Sequence, residues 1–548
     1  MLTITKTQQT NNKGVRMDYV IGVDIGTQST KALLMSTQGE VQAQASASYQ
    51  VEQPRPLWAQ QWPQVWLDAV YDTVAASVRR SQVPAARVKA ICISSLYGGS
   101  GIPVDAGIEP LHPCLIWMDR RAIAEAEWVR SHLDVEQLAR ITGNGVDSYY
   151  GYTKMLWIKR NLPEVWSRTR YLLPPNSYVQ YHLTGELAVD HSSAGNIGGI
   201  YDLAARAWSP DMMEALGIDP ALMPQRLVAP GQIIGHLLPA AAQRLGLLPG
   251  TAVVAGGVDA AMATLAAGVV APGNHVAMLG TSMCWGFIKQ HSDASPGLIN
   301  MPYVHETATT TYSFGGAITA GAAISWFREQ FCTEEKQAAA LAPGVEVHQL
   351  IEREAAKTPA GAEGLLFLPY LMGERTPIWD ARASGAYVGL SLFHHKAHLY
   401  RAVLEGLAFA LRHNMQQGGD AGCNLDPQLI VVGGGTASDL WMQIIADVTG
   451  YDVFTIEEQV EAPLGGAVLA AMAIGAVENV EVIRQWRTLR LRARPDPANT
   501  ALYDQMFAHY CASYDALKPI MHRLADLARQ QPAPAPATLS RTAQPLAD

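Results

Sequence analysis

The chain has 548 residues, of which 49% are apolar and 16% charged, with a formal net charge of −9. A chain of this length exceeds what one hydrophobic core supports and points to two domains of roughly 250 residues, while its composition excludes a disordered protein. The acidic balance, with no Lys/Arg run, argues against nucleic acid or an anionic membrane as partner and leaves a small molecule as the expected ligand.

The polar start "MLTITKTQQTNNKGVRM" lacks the apolar run of a signal peptide and reads as a flexible tail over residues 1–17. From Tyr19 to Tyr49 the pattern is strand, tight turn, strand, turn, strand, with the acidic Asp24 set beside a Gly-Thr-Gln-Ser turn. "WPQVWLDAVYDTVAASVRR" then has helical spacing, and "VKAICISS" reads as a buried strand ending in the glycine loop "LYGGSG", which together follow an α/β plan. Glu125–Arg206 alternates helical patterns with turns, and "LLPGTAVVAGGVDAAMATLAAG" reads as a strand, a glycine turn carrying Asp259, and a helix.

At Gly273–Gln290, "GNHVAMLGTSMCWGFIKQ" repeats the opening device: strand, Gly-Thr-Ser turn, strand. Two halves with similar phosphate-sized turns predict a duplicated architecture that shares a ligand between its halves. A third glycine cluster, "LIVVGGGTASDLW", lies between a strand and a helix, where backbone can approach a ligand closely. The predicted domains are 18–270 and 271–529, followed by a Pro/Ala-rich disordered tail over 530–548. The six cysteines are scattered, with no C-x-x-C pair, so the expectation is free thiols in a cytoplasmic protein without a disulfide framework. No segment has the ~20 uninterrupted apolar residues of a membrane span.

Glycines let backbone N–H groups and Thr/Ser hydroxyls reach phosphate oxygens that a Cβ would block. Gly26, Thr27, Gln28 and Ser29 form one such set, and Gly280, Thr281 and Ser282 another. Nucleotide phosphates arrive with Mg²⁺, which takes one or two carboxylates, and Asp24 is placed for that role. The chain lacks a Walker A sequence and the protein-kinase lysine and H-R-D sets.

Taken in order, "GVDIGTQSTK", "LIWMDRRA", "AGGVDAAMATLAAG", "MLGTS", "FGGAITAGAAISWFRE", "LPYLMGERTPIWD", "GAYVGLSLFHHKAHLYRAVLEG" and "GGGTASDLWMQIIADVTG" resemble the FGGY carbohydrate kinases, with xylulokinases nearest in pattern. The resemblance runs from about Tyr19 to Met521. It implies an α/β protein of two ribonuclease-H-like domains of the actin-like ATPase type, each a mixed sheet flanked by helices, closing on ATP, Mg²⁺ and a sugar or polyol. It also implies that Asp259 is the catalytic base and that Asp24 and Asp259 hold the metal. By themselves the residues around Asp259 read as a turn or helix N-cap. The resemblance assigns Gly26, Thr27, Gln28 and Ser29 to the first phosphate turn and Gly280, Thr281 and Ser282 to the second. It places Gly321 and Ser325 near phosphates and ribose, Gly434, Gly435 and Ser438 at the adenine, and Asp119 and Arg121 along the sugar. Arg401 and Glu405, at helical spacing, read as structural, and the "HHKAH" histidines as a solvated loop leading into a helix.

The chain departs from the xylulokinase pattern in one loop. Where those kinases carry Gln-Met-His-Gly, it has Tyr97-Gly98-Gly99-Ser100. Losing a His that bonds a sugar hydroxyl costs binding of order 1–3 kcal/mol, so Tyr97, Gly98 and Gly99 are expected to admit an acceptor other than D-xylulose. Ribulose, gluconate, an erythritol-type polyol and glycerol are the alternatives. A nucleotide-dependent regulatory protein on the same fold is the rival reading. A dinucleotide oxidoreductase is disfavoured because the opening strand turns back into another strand. A homodimer is one assembly open to such a chain.

Overall fold

The structure is a computed structural model that describes residues 17–530 apart from 291–293, 343, 421 and 459–460. The expected tails fall almost wholly outside the described residues. Thirteen strands build two sheets. The first holds β1 (Tyr19–Ile25), β2 (Ser29–Ser36), β3 (Val41–Ser48), β4 (Val88–Ser95), β5 (Ile233–His236) and β6 (Ala252–Val254), in the order β5-β6-β4-β1-β2-β3. The second holds β7 (His275–Leu279), β8 (Met283–Gln290), β9 (Ile299–Pro302), β10 (Thr310–Gly315), β11 (Gln428–Val432), β12 (Asp452–Ile456) and β13 (Leu489–Ala493), in the order β9-β10-β8-β7-β11-β12-β13.

Read from the opposite edge, the second sheet repeats the first with one strand added. In each, a hairpin (β1/β2 or β7/β8) is antiparallel, its first strand runs parallel to a later one (β4 or β11), and that strand parallels another (β6 or β12) capped by an antiparallel edge (β5 or β13). The duplication predicted from the two Gly-Thr turns is therefore present in the topology. Central β1 is covered on both faces, which its near-continuous apolar run permits, whereas edge strand β3 is mostly exposed or half-buried and rich in Gln, Ser and Ala.

The helices that matter for the site are α1 (Pro63–Ser81), α2 (Gly151–Asn161), α3 (Asp259–Ala266), α4 (Gly321–Phe331), α5 (Lys396–Asp420), α6 (Asp439–Thr449) and α7 (Ala462–Ala473). Although α7 lies in sequence between β12 and β13 of the second sheet, it packs on the first sheet. A Cβ on Gly22 of β1 would lie 1.7 Å from Pro463 O, and one on Gly465 would lie 2.3 Å from Met262 O of α3. Glycines thus let β1, α3 and α7 approach at backbone distance and join the two halves through one apolar cluster. In α5, Arg401 and Glu405 form a buried ion pair at 2.7 Å, joined by Tyr503, which is the structural role expected of them. No group of three His, Cys, Asp or Glu side chains suited to a metal occurs among the described residues. No helix there is long and apolar enough to cross a membrane.

Candidate active site

Parallel β1 and β4 end side by side, so Asp24 at the end of β1 is aligned with Ser94 of β4, whose Oγ donates to Asp24 Oδ1 at 2.7 Å. Beyond β6 the chain turns through Gly256, where φ is +67° and a Cβ would meet Ile93 O at 2.0 Å, and then starts α3 at Asp259. Asp259 is the first residue of that helix, after Val258 at the N-cap, and its Oδ1 accepts from Ala260 N at 2.6 Å. Both carboxyls face a cavity of about 380 Å³ between the two halves. Burial raises Asp259 to about 8, helped by the neighbouring negative charge of Asp24, and raises Asp24 to about 6 against the bond from Ser94 and the charge of Lys31.

The first-domain wall of the cavity carries Thr27, Tyr97, Trp117 and Tyr149, and the second-domain wall Gly280, Ser282, Cys284, Phe314 and Arg375, with Glu461 at the entry to α7. Each hairpin turn is closed by a backbone bond, from Gly26 N to Ser29 O (3.0 Å) and from Gly280 N to Ser282 O (2.9 Å). The N–H groups of Thr27, Gln28, Thr281 and Ser282 have no partner among the described residues. Unpaired N–H groups on glycine turns are an anion cradle, and here two cradles from different domains stand at one cavity. The second is braced by α4, whose Gly321 N–H donates to Gly280 O at 2.9 Å.

Two family models match this chain: "FGGY family of carbohydrate kinases, N-terminal domain" over residues 19–266 and the corresponding C-terminal domain over 275–474. The chain belongs to the FGGY family of carbohydrate kinases. Among its relatives, the xylulose kinase of Bacillus subtilis (strain 168) is 30% identical over 508 residues, covering 92% of this chain and 98% of that one. Two solved structures from Lactobacillus acidophilus, each covering 91% of this chain and 98% of theirs, superpose with TM-scores of 0.84 (a ligand-bound xylulose kinase) and 0.83 (a gluconate kinase), both at 26% identity. The paired sheets are thus those of the actin-like ATPase fold, and the chain is an ATP-using phosphotransferase acting on a small carbohydrate.

In this FGGY kinase the glycine turns expected at the nucleotide lie side by side. Parallel β7 and β11 bring Gly280 beside the Gly433–Gly435 turn, where a Cβ on Gly433 would lie 2.6 Å from Leu279 O. Gly434 faces open space and Gly435 packs on the Trp441 ring. The Ser438 hydroxyl caps α6, accepting from Trp441 N at 3.0 Å, and Ser325 lies on the first turn and a half of α4. Gln28 and Thr281 are exposed at the turn tips.

Of the residues expected at the acceptor, only some reach the cavity. Tyr97 lines the cavity, and its buried hydroxyl has no partner. Gly98 has φ +87°, and a Cβ there would lie 3.0 Å from Cζ and Oη of Tyr149, so the absent side chain leaves room for that ring. Gly99 instead backs onto Leu115 O, and Ser100 bonds the backbone of Gly101 and Leu115. Asp119 and Arg121 do not line the cavity: they form a buried ion pair at 2.8 Å, with Asp119 also accepting from Ala59 N and the guanidinium lying 3.7 Å over Trp58.

Sequence reasoning missed Trp117, whose Nε1 donates to Thr27 Oγ1 at 2.9 Å and ties the first-domain wall of the cavity to the Gly26–Ser29 turn. It also missed Tyr149 and the buried Lys154 of α2 behind it, whose Nζ donates to the carbonyls of Gly98 (2.6 Å), Tyr149 (2.7 Å) and Ile116 (2.9 Å). Arg375 was visible only as part of the "GERTP" run.

Proposed function

We propose that this kinase transfers the γ-phosphoryl group of ATP to a hydroxyl of a ketose sugar or polyol, with xylulokinase-like chemistry, and that Asp259 is the base. The observation that carries the proposal is the meeting of two unpaired N–H turns from different domains at a cavity that also holds Asp259. The acceptor hydroxyl oxygen forms a bond to the γ-phosphorus as the bond from phosphorus to the ADP oxygen breaks, and the hydroxyl proton passes to the Asp259 carboxylate. Thr27, Gln28, Thr281 and Ser282 supply N–H groups to the phosphate oxygens, and closure of the domains keeps water from competing as acceptor.

Asp24 and Asp259, two oxygen-donor carboxylates that gain from a counter-cation where they are buried together, fit Mg²⁺ and would hold it. When bound, the ion neutralises charge on the phosphates. For the acceptor, the Tyr149 ring beside Gly98 and the unpaired Tyr97 hydroxyl support a substrate differing from D-xylulose in shape or length.

Two measurements test the proposal. Acceptor-dependent ADP release across D-xylulose, ribulose, other ketoses, polyols and aldonates should appear for one of these classes. Its absence with all of them would refute a sugar kinase, and a strong preference for D-xylulose would refute the altered acceptor. Asp259→Asn should lower kcat by about 10²- to 10⁴-fold with ATP affinity and melting temperature near wild type. Near-normal turnover would remove Asp259 as the base.

A further inference from the structure

Arg375 is a buried guanidinium that forms no ion pair among the described residues. The residue is 7% exposed, its Nε is buried without a hydrogen-bond partner, and its one bond is a long contact from Nη2 to Cys284 Sγ at 3.8 Å. No carboxylate among the described residues lies within ion-pair distance of it. The adjacent Glu374 turns its carboxyl to the backbone, where Oε1 accepts from Ile318 N (2.9 Å) and Arg375 N (2.8 Å). Other buried cations in this chain are satisfied differently: Arg121 pairs with Asp119, Arg401 with Glu405, and Lys154 bonds three carbonyls. An arginine cannot shed its proton, and a buried charge without a hydrogen-bonded counter-ion is unfavourable, so Arg375 gains from an anion that enters the cavity it lines.

The loop that carries it is held firmly. Glu374 and Asp380 exchange backbone bonds at 2.9 and 3.0 Å, Thr376 Oγ1 accepts from Gly316 N at 2.5 Å, and Trp379 donates to Gly297 O at 2.7 Å while stacking on Tyr150 with ring centroids 5.8 Å apart. The guanidinium is thereby fixed in the cavity wall, with its Cζ 5.7 Å from the Tyr149 ring centroid and 5.9 Å from that of Phe314. Cys284, which it touches, lies two residues after Ser282, and both line the same cavity. Arg375 therefore stands in the cavity wall beside Cys284 of the second hairpin and the Tyr149 ring of the first-domain wall.

We propose that Arg375 is a catalytic residue that binds the oxygens of the phosphoryl group in transit. It takes no proton and forms no covalent bond. Its planar fork of N–H donors meets two phosphoryl oxygens as the bond to ADP breaks and the bond to the acceptor oxygen forms. This inference rests on the kinase reading above, so wild-type turnover with at least one acceptor is established first in the same assay, and a chain without any turnover fails that reading rather than this one.

The experiment compares Arg375→Ala, Arg375→Gln and Arg375→Lys with wild type, using a neutral ketose and, where it is turned over, an aldonate. The expected result for Ala and Gln is a fall in kcat of about 10²- to 10³-fold with every acceptor, ATP and acceptor KM within a few-fold of wild type, and partial recovery of Arg375→Ala by added guanidinium. A loss confined to the aldonate and expressed in KM would overturn the proposal and assign Arg375 to an acceptor carboxylate. Unchanged kcat would also overturn it, as would lost kcat in folded variants without guanidinium rescue. If none of the variants folds, phenylglyoxal labelling of the wild-type enzyme decides: Arg375 should be protected by ATP well beyond ADP, and equal protection refutes the proposal.

Discussion

A Cβ built at Gly98 meets Cζ and Oη of Tyr149 at 3.0 Å and Cβ of Trp117 at 3.2 Å, at a φ of +87° that side-chain-bearing residues rarely adopt. Two costs therefore fall on any substitution there: backbone strain of about 1–2 kcal/mol and displacement of a ring that lines the acceptor wall. The carbonyl of the same glycine is gripped by Lys154, which also holds Ile116 and Tyr149, so the loop cannot relax away without loosening all three segments. For Gly98→Ala the expected outcome is an acceptor KM raised by about tenfold, equal to about 1.4 kcal/mol, with ATP KM unchanged. Steady-state kinetics varying both substrates would check it. A rise in ATP KM with the acceptor unaffected would show that this loop does not shape the acceptor site. The same logic explains why Tyr97-Gly98-Gly99 could be singled out in the sequence while Tyr149 could not: a missing side chain is visible in the chain, but the ring that fills the gap comes from a residue some fifty positions away.

At the scale of elements, the contact between β1 and α7 is made of backbone. At Gly22 an added methyl would sit 1.7 Å from Pro463 O and 2.8 Å from Ala467 N, atoms belonging to a helix that has little room to withdraw. Gly22→Ala should therefore destabilise the protein by about 3 kcal/mol and lower its melting temperature by several degrees, whereas Gly434→Ala, whose methyl meets nothing within 4 Å, should leave it unchanged. Scanning fluorimetry at one fixed heating rate compares the two, and equal melting temperatures would contradict the packing. The hairpins on which this frame is built were legible in the sequence because a phosphate turn needs glycine and hydroxyl residues at a fixed spacing between two strands. The strand-turn-helix entry to Asp259 was legible for a similar reason. What was not legible is where long-range packing delivers side chains. "WMDRRA" looks like an acceptor segment, yet Trp58 and Ala59 enclose Asp119 and Arg121 in an ion pair away from the cavity. Lys154 lies in an ordinary helical stretch, and only the fold brings three carbonyls to its tip.

For the whole molecule, the two halves meet around carboxyls that are uncomfortable when ionised. Burial places Asp259 at about 8 and Asp24 at about 6, both above the usual carboxylate range near 4. Between those limits the folded chain binds more protons at these sites than the unfolded chain does, so their contribution to stability is full below about pH 4 and is lost as pH rises through the folded values. A divalent cation reverses the balance, because it favours the ionised carboxylates and competes with their protons. At pH 8 the cation meets an ionised Asp24 and an Asp259 that is about half ionised, while at pH 6 it must displace a proton from Asp259 and, in about half of the molecules, from Asp24. The rise in melting temperature produced by Mg·ATP, taken relative to ATP with a chelator, should therefore be larger at pH 8 than at pH 6. Asp259→Asn should reduce that difference, since it removes one of the two carboxyls that titrate across this range while leaving Asp24 in place. An equal metal-dependent rise at both pH values in the wild-type protein would show that these two carboxyls do not jointly hold the cation that accompanies the nucleotide into the cleft.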